Sequence, residues 1–359
     1  MTRVALTGGG TAGHITPLLA VAAALGDRAQ CVVVGTTGGR EAELLPPHLP
    51  VIHSIDKLPF PRRLSLQALA FPFRWVQAVW QARSALARAE VDVLVGFGGY
   101  TAAPAYLAAR LLGIPLVIHE ANALPGLANR LGARFTTRVG VCFPGTPLPH
   151  ASVVGMPIRT DILELDRAAS RTAAREHFGL SSSAPVLLVT GGSSGARRIN
   201  DTIDDVSADI VAAGWQVLHL RGPAQGKPPA HLHGVVTVDY TDRMDLALAA
   251  ADLVVSRAGA ATVSELAVVG VPAVFVPYHV GNGEQRYNAQ SAVQAGGALI
   301  VDTVDFTPLW VERQLLPLLA DSDRLAQMAE AMATTGRRGA AETIAQWALE
   351  EAGVNGGEG

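Results

Sequence analysis

The sequence predicts an α/β protein that consists of two doubly wound domains, each built on a parallel sheet. Short β-branched runs alternate with alanine- and leucine-rich helical stretches along the chain. Near-continuous apolar strands separated by helices are typical of parallel sheets that are buried on both faces. The two halves of the chain repeat the same order of motifs, and 359 residues are too many for one compact core.

The predicted strands form two series, one in each half of the chain. The first series is Val4–Thr7, Cys31–Gly35, Val51–Ile55, Val91–Phe97, Pro115–His119 and Arg138–Phe143. The second series is Val186–Thr190, Gln216–Leu220, Val235–Asp239, Asp252–Ser256, Ala273–Pro277 and Ala298–Val301. Because the first strand of each series ends in Thr-Gly-Gly, we expect each domain to carry a glycine loop where its strand order reverses.

The predicted domain boundary lies between Pro144 and Pro185, in a segment of prolines and serines with one helix near Arg167–Phe178. We assign residues 1–158 to the first domain, 159–336 to the second, 337–352 to a last helical segment and 353–359 to a disordered tail. Two such domains bring the carboxyl ends of both sheets together across a cleft, and we expect ligands to bind there.

The composition excludes several classes of protein. Hydrophobic residues make up 49% of the chain and the net charge is −3, which excludes a disordered chain and argues against a nucleic-acid partner. Cys31 and Cys142 lie in apolar strands, so we expect a reducing compartment without a disulfide framework or a zinc site. Glycines and Pro17 interrupt the apolar N-terminal stretch, which disagrees with a signal peptide, and no membrane-spanning segment is expected.

The first glycine loop runs from Gly8 to His14, after a strand and into a helix. Glycines let the backbone approach a ligand closely, and the free N–H groups of a helix N-terminus attract anions. The loop also satisfies G-x-G-x-x-G, but a dinucleotide needs a carboxylate at the end of the second strand, and the first acid there is Glu41, beyond the usual position. Similar loops begin at Gly96 and Gly191; tight packing of helix on sheet is their alternative explanation.

The most informative segment runs from Ser256 to Glu265, from a buried strand through small residues into a helix. Such a loop can hold a diphosphate on its N–H groups, with Arg257 as a positive partner, and Glu265 can accept two hydrogen bonds from a ribose. Thr262 and Glu265 also fit a capping box, in which the glutamate binds the start of its own helix. The residues alone leave both interpretations open.

Six motifs occur in one order along the chain. They are GGGTAGH from Gly8, GFGGY from Gly96, HEANALPGLANR from His119, GGSSGAR from Gly191, SRAGAATVSE from Ser256 and GNGEQRYNA from Gly281. Together they resemble the bacterial MurG glycosyltransferases over almost the whole chain. The resemblance implies a GT-B fold, in which the last helix, around Ala341–Glu351, crosses back to the first domain.

The resemblance also implies an activity and a place in the cell. The enzyme would move N-acetylglucosamine from UDP-N-acetylglucosamine to the muramyl 4-hydroxyl of lipid I, the undecaprenyl-linked muramyl-pentapeptide, and give lipid II. This step of peptidoglycan synthesis, which serves cell shape and division, takes place at the cytoplasmic face of the cell membrane. A peripheral protein without a cofactor is implied, and other proteins of cell-wall synthesis are candidate partners.

The resemblance assigns roles to individual residues. Those implied at the donor are Thr11, Ala12, Gly13, Asn122, Arg159, Ser193, Thr241, Met244, Arg257, Ala260, Ala261, Thr262, Glu265, Glu284 and Gln285. Gly99 and Tyr100 would face the acceptor, and His14 and Glu120 the reacting centre. Ala12, Met156, Ser194 and Glu284 depart from the residues common in the family, and the sequence does not explain their effect.

The chemistry of sugar transfer indicates what the site must provide. Negative charge builds on the leaving diphosphate in an oxocarbenium-like transition state, so a fixed positive environment and a base are needed. Arg257 and the helix N-termini supply the first without a metal, since the Asp321-Ser322-Asp323 segment is expected to cap a late helix. His14 is the first candidate for the base, with capping or acceptor positioning as its alternative; Glu120 and Glu284 are the other candidates. Attack opposite UDP would invert the anomeric centre.

A basic and aromatic segment lies between Asp56 and Glu90, where no acid occurs. Its predicted membrane-facing residues are Leu69, Phe73, Val76, Trp80, Arg62, Arg63 and Arg74. Aromatic and cationic residues on one surface suit an anionic bilayer. The pattern alone favours a helix face that packs into the core, with the arginines solvated. The lipid-linked acceptor implied by the family reverses that preference and favours the membrane.

The sequence also permits rival functions. The first is another UDP-sugar enzyme of the same fold, an epimerase or a transferase with a soluble acceptor, which does not require the basic and aromatic segment. A nicotinamide-dependent oxidoreductase is disfavoured by the missing ribose carboxylate, and a non-catalytic sugar-binding protein by the glycine loops in both halves.

Overall fold

Two parallel sheets, one in each half of the chain, organise the structure. A computed structural model describes residues 1–9, 12–36, 45–46, 49, 51–55, 66–192, 195–223, 232–278 and 283–353. Its internal contacts divide the chain into a first unit, Met1–Arg159 with Gly339–Gly359, and a second unit, Thr160–Arg338. The predicted fold class of two doubly wound parallel-sheet domains is confirmed.

The first unit contains a seven-stranded sheet with the order β3-β2-β1-β4-β5-β6-β7. Its strands are β1 (Arg3–Thr7), β2 (Gln30–Thr36), β3 (Val51–Ile55), β4 (Val93–Gly96), β5 (Leu116–Glu120), β6 (Arg138–Val141) and β7 (Ala151–Val153). All neighbours pair in parallel. The six predicted strands are confirmed with small differences at their ends. The sequence prediction missed β7, because this short strand is mostly exposed and lacks the apolar run of a buried one.

Four helices of the first unit follow in chain order. They are α1 (Ala12–Leu25), α2 (Leu66–Arg88), α3 (Ala102–Leu112) and α4 (Leu127–Gly132). Because successive strand residues point to opposite faces, Ala5 packs with α2 and α3 on one face of the sheet, while Val4 and Leu6 belong to the core on the other face. The sheet is therefore buried on both faces, as its nearly continuous apolar strands predict.

The second unit contains a six-stranded sheet with the order β10-β9-β8-β11-β12-β13. Its strands are β8 (Val186–Thr190), β9 (Gln216–Leu220), β10 (Val235–Val238), β11 (Leu253–Ser256), β12 (Ala273–Phe275) and β13 (Ala298–Ile300). All are parallel, and the predicted second series is confirmed.

The helices of the second unit connect and cover these strands. They are α5 (Thr160–Leu163), α6 (Arg167–His177), α7 (Arg197–Ala212), α8 (Met244–Ala250), α9 (Ala260–Val269), α10 (Glu284–Asn288), α11 (Gln290–Ala295), α12 (Pro308–Trp310), α13 (Leu316–Leu319) and α14 (Ser322–Thr334), with a π-helical turn (Val311–Leu315) between α12 and α13. The side chain of Asp321 accepts a hydrogen bond from the Arg324 N–H at 3.0 Å, so the expected cap of a late helix is confirmed.

The last helix, α15 (Ala340–Glu351), packs on the first unit. Its apolar residues Ile344, Ala345 and Ala348 are fully buried in the core that contains Val4 and Leu6. Arg138 on β6 forms ion pairs with both Glu350 and Glu351, at 2.9 and 3.0 Å. None of the helices in the described ranges is both long and apolar enough to cross a membrane.

Candidate active site

The strand order of each sheet reverses between two strands that end in glycine loops. In the first unit these strands are β1 and β4, and in the second they are β8 and β11. Ligands of open α/β sheets bind outside the carboxyl ends of the strands at such a reversal. The expectation that each glycine loop lies at a switch point is therefore confirmed, and both loops of each unit contain residues predicted to bind substrate.

The two loops of the first unit touch through backbone atoms. Gly99 has a φ of +86°, and a Cβ built on it would lie 2.2 Å from the carbonyl oxygen of Gly9. Gly98, with a φ of +82°, is in the same left-handed region. These glycines allow the loop after β4, with Gly99 and Tyr100, to lie directly against the loop after β1. Close packing of the backbone therefore explains some of these glycines, in agreement with the alternative that the loops serve packing.

Glu120, at the end of β5, is 4% exposed and has several partners in its own loop. Its carboxylate accepts hydrogen bonds from the N–H groups of Asn122 at 2.9 Å and Gly126 at 3.0 Å, and from the side-chain amide of Asn129 at 2.9 Å. Burial raises the pKa of Glu120, while these donors oppose the shift. The carboxylate therefore fixes the shape of residues 120–126, which include Asn122.

His14 lies near the start of α1, and its side chain is partly exposed. A Cβ built on Gly8 would lie 3.2 Å from the carbonyl oxygen of His14 and 3.0 Å from the Cβ of Phe97. Helix α1 therefore begins beside the loops after β1 and β4. Gly13 is exposed, whereas Thr11 and the side chain of Ala12 lie outside the described residues.

The helix that follows β11 begins earlier than a capping box requires. Helix α9 starts at Ala260, and the preceding N-cap is Gly259, with φ −64° and ψ 144°. Thr262 therefore lies within the first turn instead of at the N-cap, so the capping-box interpretation of Thr262 and Glu265 is wrong. The first N–H groups of α9, which include Ala260, Ala261 and Thr262, lie where a helix leaves its donors without intrahelical partners.

Arg257 is anchored by neutral groups of the second unit. Its guanidinium donates hydrogen bonds to the carbonyls of Val276 at 2.8 Å and Pro277 at 3.2 Å and to the hydroxyl of Thr303 at 2.7 Å, and it lies 5.5 Å from the ring centre of Tyr278. Burial lowers the pKa of Arg257. These partners are carbonyls, a hydroxyl and an aromatic ring, which hold the guanidinium in place as a positive charge beside the loop after β11.

Further residues predicted at the donor lie in or just before helices of the second unit. Gln285, in α10, accepts a hydrogen bond from the Tyr278 N–H at 2.9 Å through its side-chain oxygen, and Glu284 precedes it. Thr241 follows β10, and its hydroxyl accepts a hydrogen bond from the Arg243 N–H at 3.0 Å. Arg243 directly precedes α8, which begins at Met244. Arg159 is the last residue before the second unit. Ser193 lies outside the described residues.

Sequence reasoning missed several residues of these loops. Tyr278 and Thr303 hold Arg257, and Tyr106 and Asn129 connect the loops after β4 and β5. Tyr106 lies in an alanine- and leucine-rich segment, where the hydroxyl of a buried tyrosine requires a partner; this was the available signal in the sequence.

Helix α2 has an exposed apolar face. Phe73, Val76 and Trp80 are 80, 54 and 59% exposed, whereas Ala78 and Ala82 belong to the core. The alternative that this predicted stripe packs into the core is therefore wrong for these three residues. Arg74 is exposed on the same helix, and the Arg83 guanidinium lies 5.2 Å from the ring centre of Trp80. Arg62, Arg63 and the side chain of Leu69 lie outside the described residues.

Comparison with known proteins connects this geometry to a family. The glycosyltransferase family 28 N-terminal domain matches residues 4–141, and the C-terminal domain of that family matches residues 186–344. A relative from Leifsonia xyli subsp. xyli is 52% identical over 347 residues, which are 96% of this chain and 97% of the relative. Its name is UDP-N-acetylglucosamine--N-acetylmuramyl-(pentapeptide) pyrophosphoryl-undecaprenol N-acetylglucosamine transferase.

The crystal structure of Acinetobacter baumannii MurG superposes with a TM-score of 0.80 at 30% identity, over 98% of this chain and 100% of that one. The chain belongs to the MurG family.

Membership in the MurG family confirms the resemblance that the six motifs carry. The UDP-N-acetylglucosamine 2-epimerase from Neisseria meningitidis also superposes, with a TM-score of 0.70 over 98% of this chain and 100% of that chain. Its identity is only 14%, so it shares the fold alone. The rival interpretation as an epimerase is therefore less well supported than a MurG-type transferase.

Proposed function

We propose that this protein transfers N-acetylglucosamine from UDP-N-acetylglucosamine to the muramyl 4-hydroxyl of lipid I and so produces lipid II. The observation that carries the proposal is the 52% identity, over nearly the full length of both chains, to a relative whose name states this transferase activity. The glycine loops at both switch points support it, because the two reactants each contain a diphosphate and such loops bind phosphate oxygens through backbone N–H groups.

In this proposal the second unit binds the donor. The N–H groups at the start of α9 face the diphosphate, and Arg257 adds a positive charge that the carbonyls of Val276 and Pro277 hold in place. Charge that grows on the departing UDP is stabilised by groups that are already oriented, which lowers the barrier without reorganisation. Glu265, which lies more than one turn into α9, accepts hydrogen bonds from the two hydroxyl groups of the ribose.

The first unit binds the acceptor and activates its hydroxyl. We assign the base to His14, because it begins the helix beside both loops of this unit and imidazole titrates near neutral pH. The buried carboxylate of Glu120 already accepts from the N–H groups of Asn122 and Gly126, so we assign it to positioning of the loop instead of proton transfer. Attack from the face opposite UDP inverts the anomeric centre and gives a β-linkage.

The direct test of this function is a transfer assay with labelled UDP-N-acetylglucosamine and a lipid I analogue that carries a shorter prenyl chain. We expect labelled disaccharide product and one UDP released per transfer, and neither without the acceptor. The anomeric configuration of the product, read by NMR, should be β. Conversion of the donor in the absence of the acceptor would instead indicate an epimerase and would contradict the proposal.

We further propose that the exposed face of α2 binds the cytoplasmic surface of the cell membrane. Phe73 and Trp80 are mostly exposed, and Arg74 lies on the same helix. Amphipathic aromatic surfaces with nearby cations bind anionic headgroups. An acceptor that is anchored by a polyprenyl chain offers its sugar only at this surface.

The membrane proposal is tested with the double variant Phe73→Ser, Trp80→Ser in vesicle co-sedimentation. We expect its partition coefficient on vesicles with 30% phosphatidylglycerol to fall at least about tenfold, because two aromatic side chains no longer enter the interface. Leu111→Ser is the matched control, since Leu111 is 58% exposed on α3 but outside this face, and it should bind like the unmodified protein. Equal binding of the unmodified protein to neutral vesicles would refute the electrostatic part of the proposal.

A further inference from the structure

Tyr106 is a fully buried tyrosine on α3 whose hydroxyl group has two partners. The hydroxyl accepts a hydrogen bond from the Gly98 N–H at 3.2 Å and donates one to the side-chain oxygen of Asn129 at 2.7 Å. Burial raises the pKa of Tyr106, so the hydroxyl keeps its proton at neutral pH and remains a donor. The Tyr106 hydroxyl both accepts and donates a hydrogen bond, and it therefore connects the segment that contains Gly98 to the segment that contains Asn129.

Two glycines leave the space that the Tyr106 ring occupies. A Cβ built on Gly96 would lie 2.1 Å from a ring carbon of Tyr106, and one built on Gly132 would lie 2.5 Å from another. Real Cβ atoms do not approach that closely, so neither position accepts a larger residue while the ring stays in place. Gly96 ends β4 and Gly132 ends α4, and the ring is thus enclosed between a strand end and a helix end.

Asn129 continues the connection to the loop after β5. Its side-chain N–H group donates to Glu120 at 2.9 Å and to the carbonyl of His119 at 3.1 Å. Because carboxylates and carbonyls only accept, these two bonds fix the orientation of the amide and direct its oxygen to the Tyr106 hydroxyl. The chain of contacts therefore runs from the Gly98 N–H through Tyr106 and Asn129 to Glu120.

We propose that Tyr106 is a positioning residue for the acceptor side of the site. Its hydroxyl joins the loop with Gly98, Gly99 and Tyr100 to the loop that Glu120 holds, and so keeps both in one arrangement against the loop after β1. This proposal rests on the proposed transferase function, in which these loops face the acceptor. Loss of the hydroxyl releases two buried groups together, the Gly98 N–H and the Asn129 side-chain oxygen.

The test is the variant Tyr106→Phe, which keeps the ring and removes only the hydroxyl. We expect kcat to fall, or the KM for the lipid I analogue to rise, by roughly tenfold, the factor associated with one net buried hydrogen bond. The dissociation constant for UDP, measured by calorimetry, should change by less than about threefold, because the main proposed contacts of UDP, Arg257 and Glu265, lie in the second unit. Thr202→Val is the matched control, because it removes a buried hydroxyl bonded to the Phe306 carbonyl at 3.0 Å in the second unit. It should lower the melting temperature without a change in either kinetic constant.

Hydrogen exchange separates this proposal from the transferase function. In Tyr106→Phe the amides of residues 98–101 and 120–126 should exchange faster than in the unmodified protein, whether or not the protein transfers a sugar. Unchanged exchange in these segments overturns the positioning role, and so do kinetic constants equal to those of the unmodified protein. Faster exchange in a protein that shows no transfer activity would reject the proposed function alone.

Discussion

His14→Ala should lower kcat by a factor of about 10²–10⁴, the usual contribution of a general base. Donor affinity should change far less than kcat, because the groups proposed to hold the diphosphate and ribose of UDP, Arg257 and the first turns of α9, lie in the second unit, whereas His14 lies on α1 of the first. The measurements are single-turnover transfer rates at saturating substrates and calorimetric titration with UDP.

The control for this prediction is His233→Ala, which removes an exposed histidine of the second unit and should leave turnover unchanged. If UDP affinity in His14→Ala decreases in proportion to the rate, His14 serves binding and another group accepts the proton. A rate within a factor of about three of the unmodified protein would exclude His14 as the base.

Asp252→Asn should reduce the free energy of unfolding of the second unit by about 3–5 kcal/mol, the cost of leaving a buried charge without its partner. One carboxylate oxygen of Asp252 pairs with Arg171 at 2.6 Å, and the other pairs with Arg175 at 2.9 Å and accepts from the Val186 N–H at 2.8 Å. Arg175 is only 2% exposed, so we expect water to compensate its charge poorly when the carboxylate is lost. An asparagine would also direct an N–H group at one of these donors.

Urea denaturation of Asp252→Asn measures this loss. Asp209→Asn, on the exposed face of α7, is the control and should change the unfolding free energy by less than about 0.5 kcal/mol. Arg171 is 38% exposed, so most of the effect should come from Arg175. A loss below about 1 kcal/mol in Asp252→Asn would mean that water replaces the carboxylate at Arg175.

The strands of both sheets were predictable because each strand is specified by a short contiguous stretch of sequence. A parallel strand buried on both faces requires an apolar run, and the glycine loop after it requires small residues, so both appear as contiguous letters. Strand β7 shows the limit: Ala151–Val153 is short and mostly exposed, so pairing with β6 and not its own hydrophobicity makes it a strand.

Two features of the site required three-dimensional information. The sequence of Thr262 and Glu265 fits a capping box, but the helix begins at Ala260, which places Thr262 inside the first turn. The exact start of a helix depends on backbone angles that the sequence does not specify. The exposed face of α2 was likewise ambiguous, because an apolar stripe has the same period whether it meets the core or a membrane.

The contacts of Tyr106 could not be predicted from the sequence at all. Gly98 lies in the GFGGY motif, and Glu120 and Asn129 lie in the HEANALPGLANR motif, but Tyr106 belongs to neither and no sequence pattern shows that its hydroxyl joins them. The sequence indicates only that the hydroxyl of a tyrosine among alanines needs a hydrogen-bond partner, and not which residue provides it.

The position of α15 has a consequence for biosynthesis. The first unit is discontinuous in the chain, and its core on one sheet face includes Ile344, Ala345 and Ala348. A ribosome releases the N-terminal segments first, so helix α1 can pack near Val4 and Leu6 early, but the part of this core that α15 contributes is missing until residue 351 has been translated. The first unit therefore cannot complete its core during synthesis until nearly the whole chain, including the second unit, has been translated.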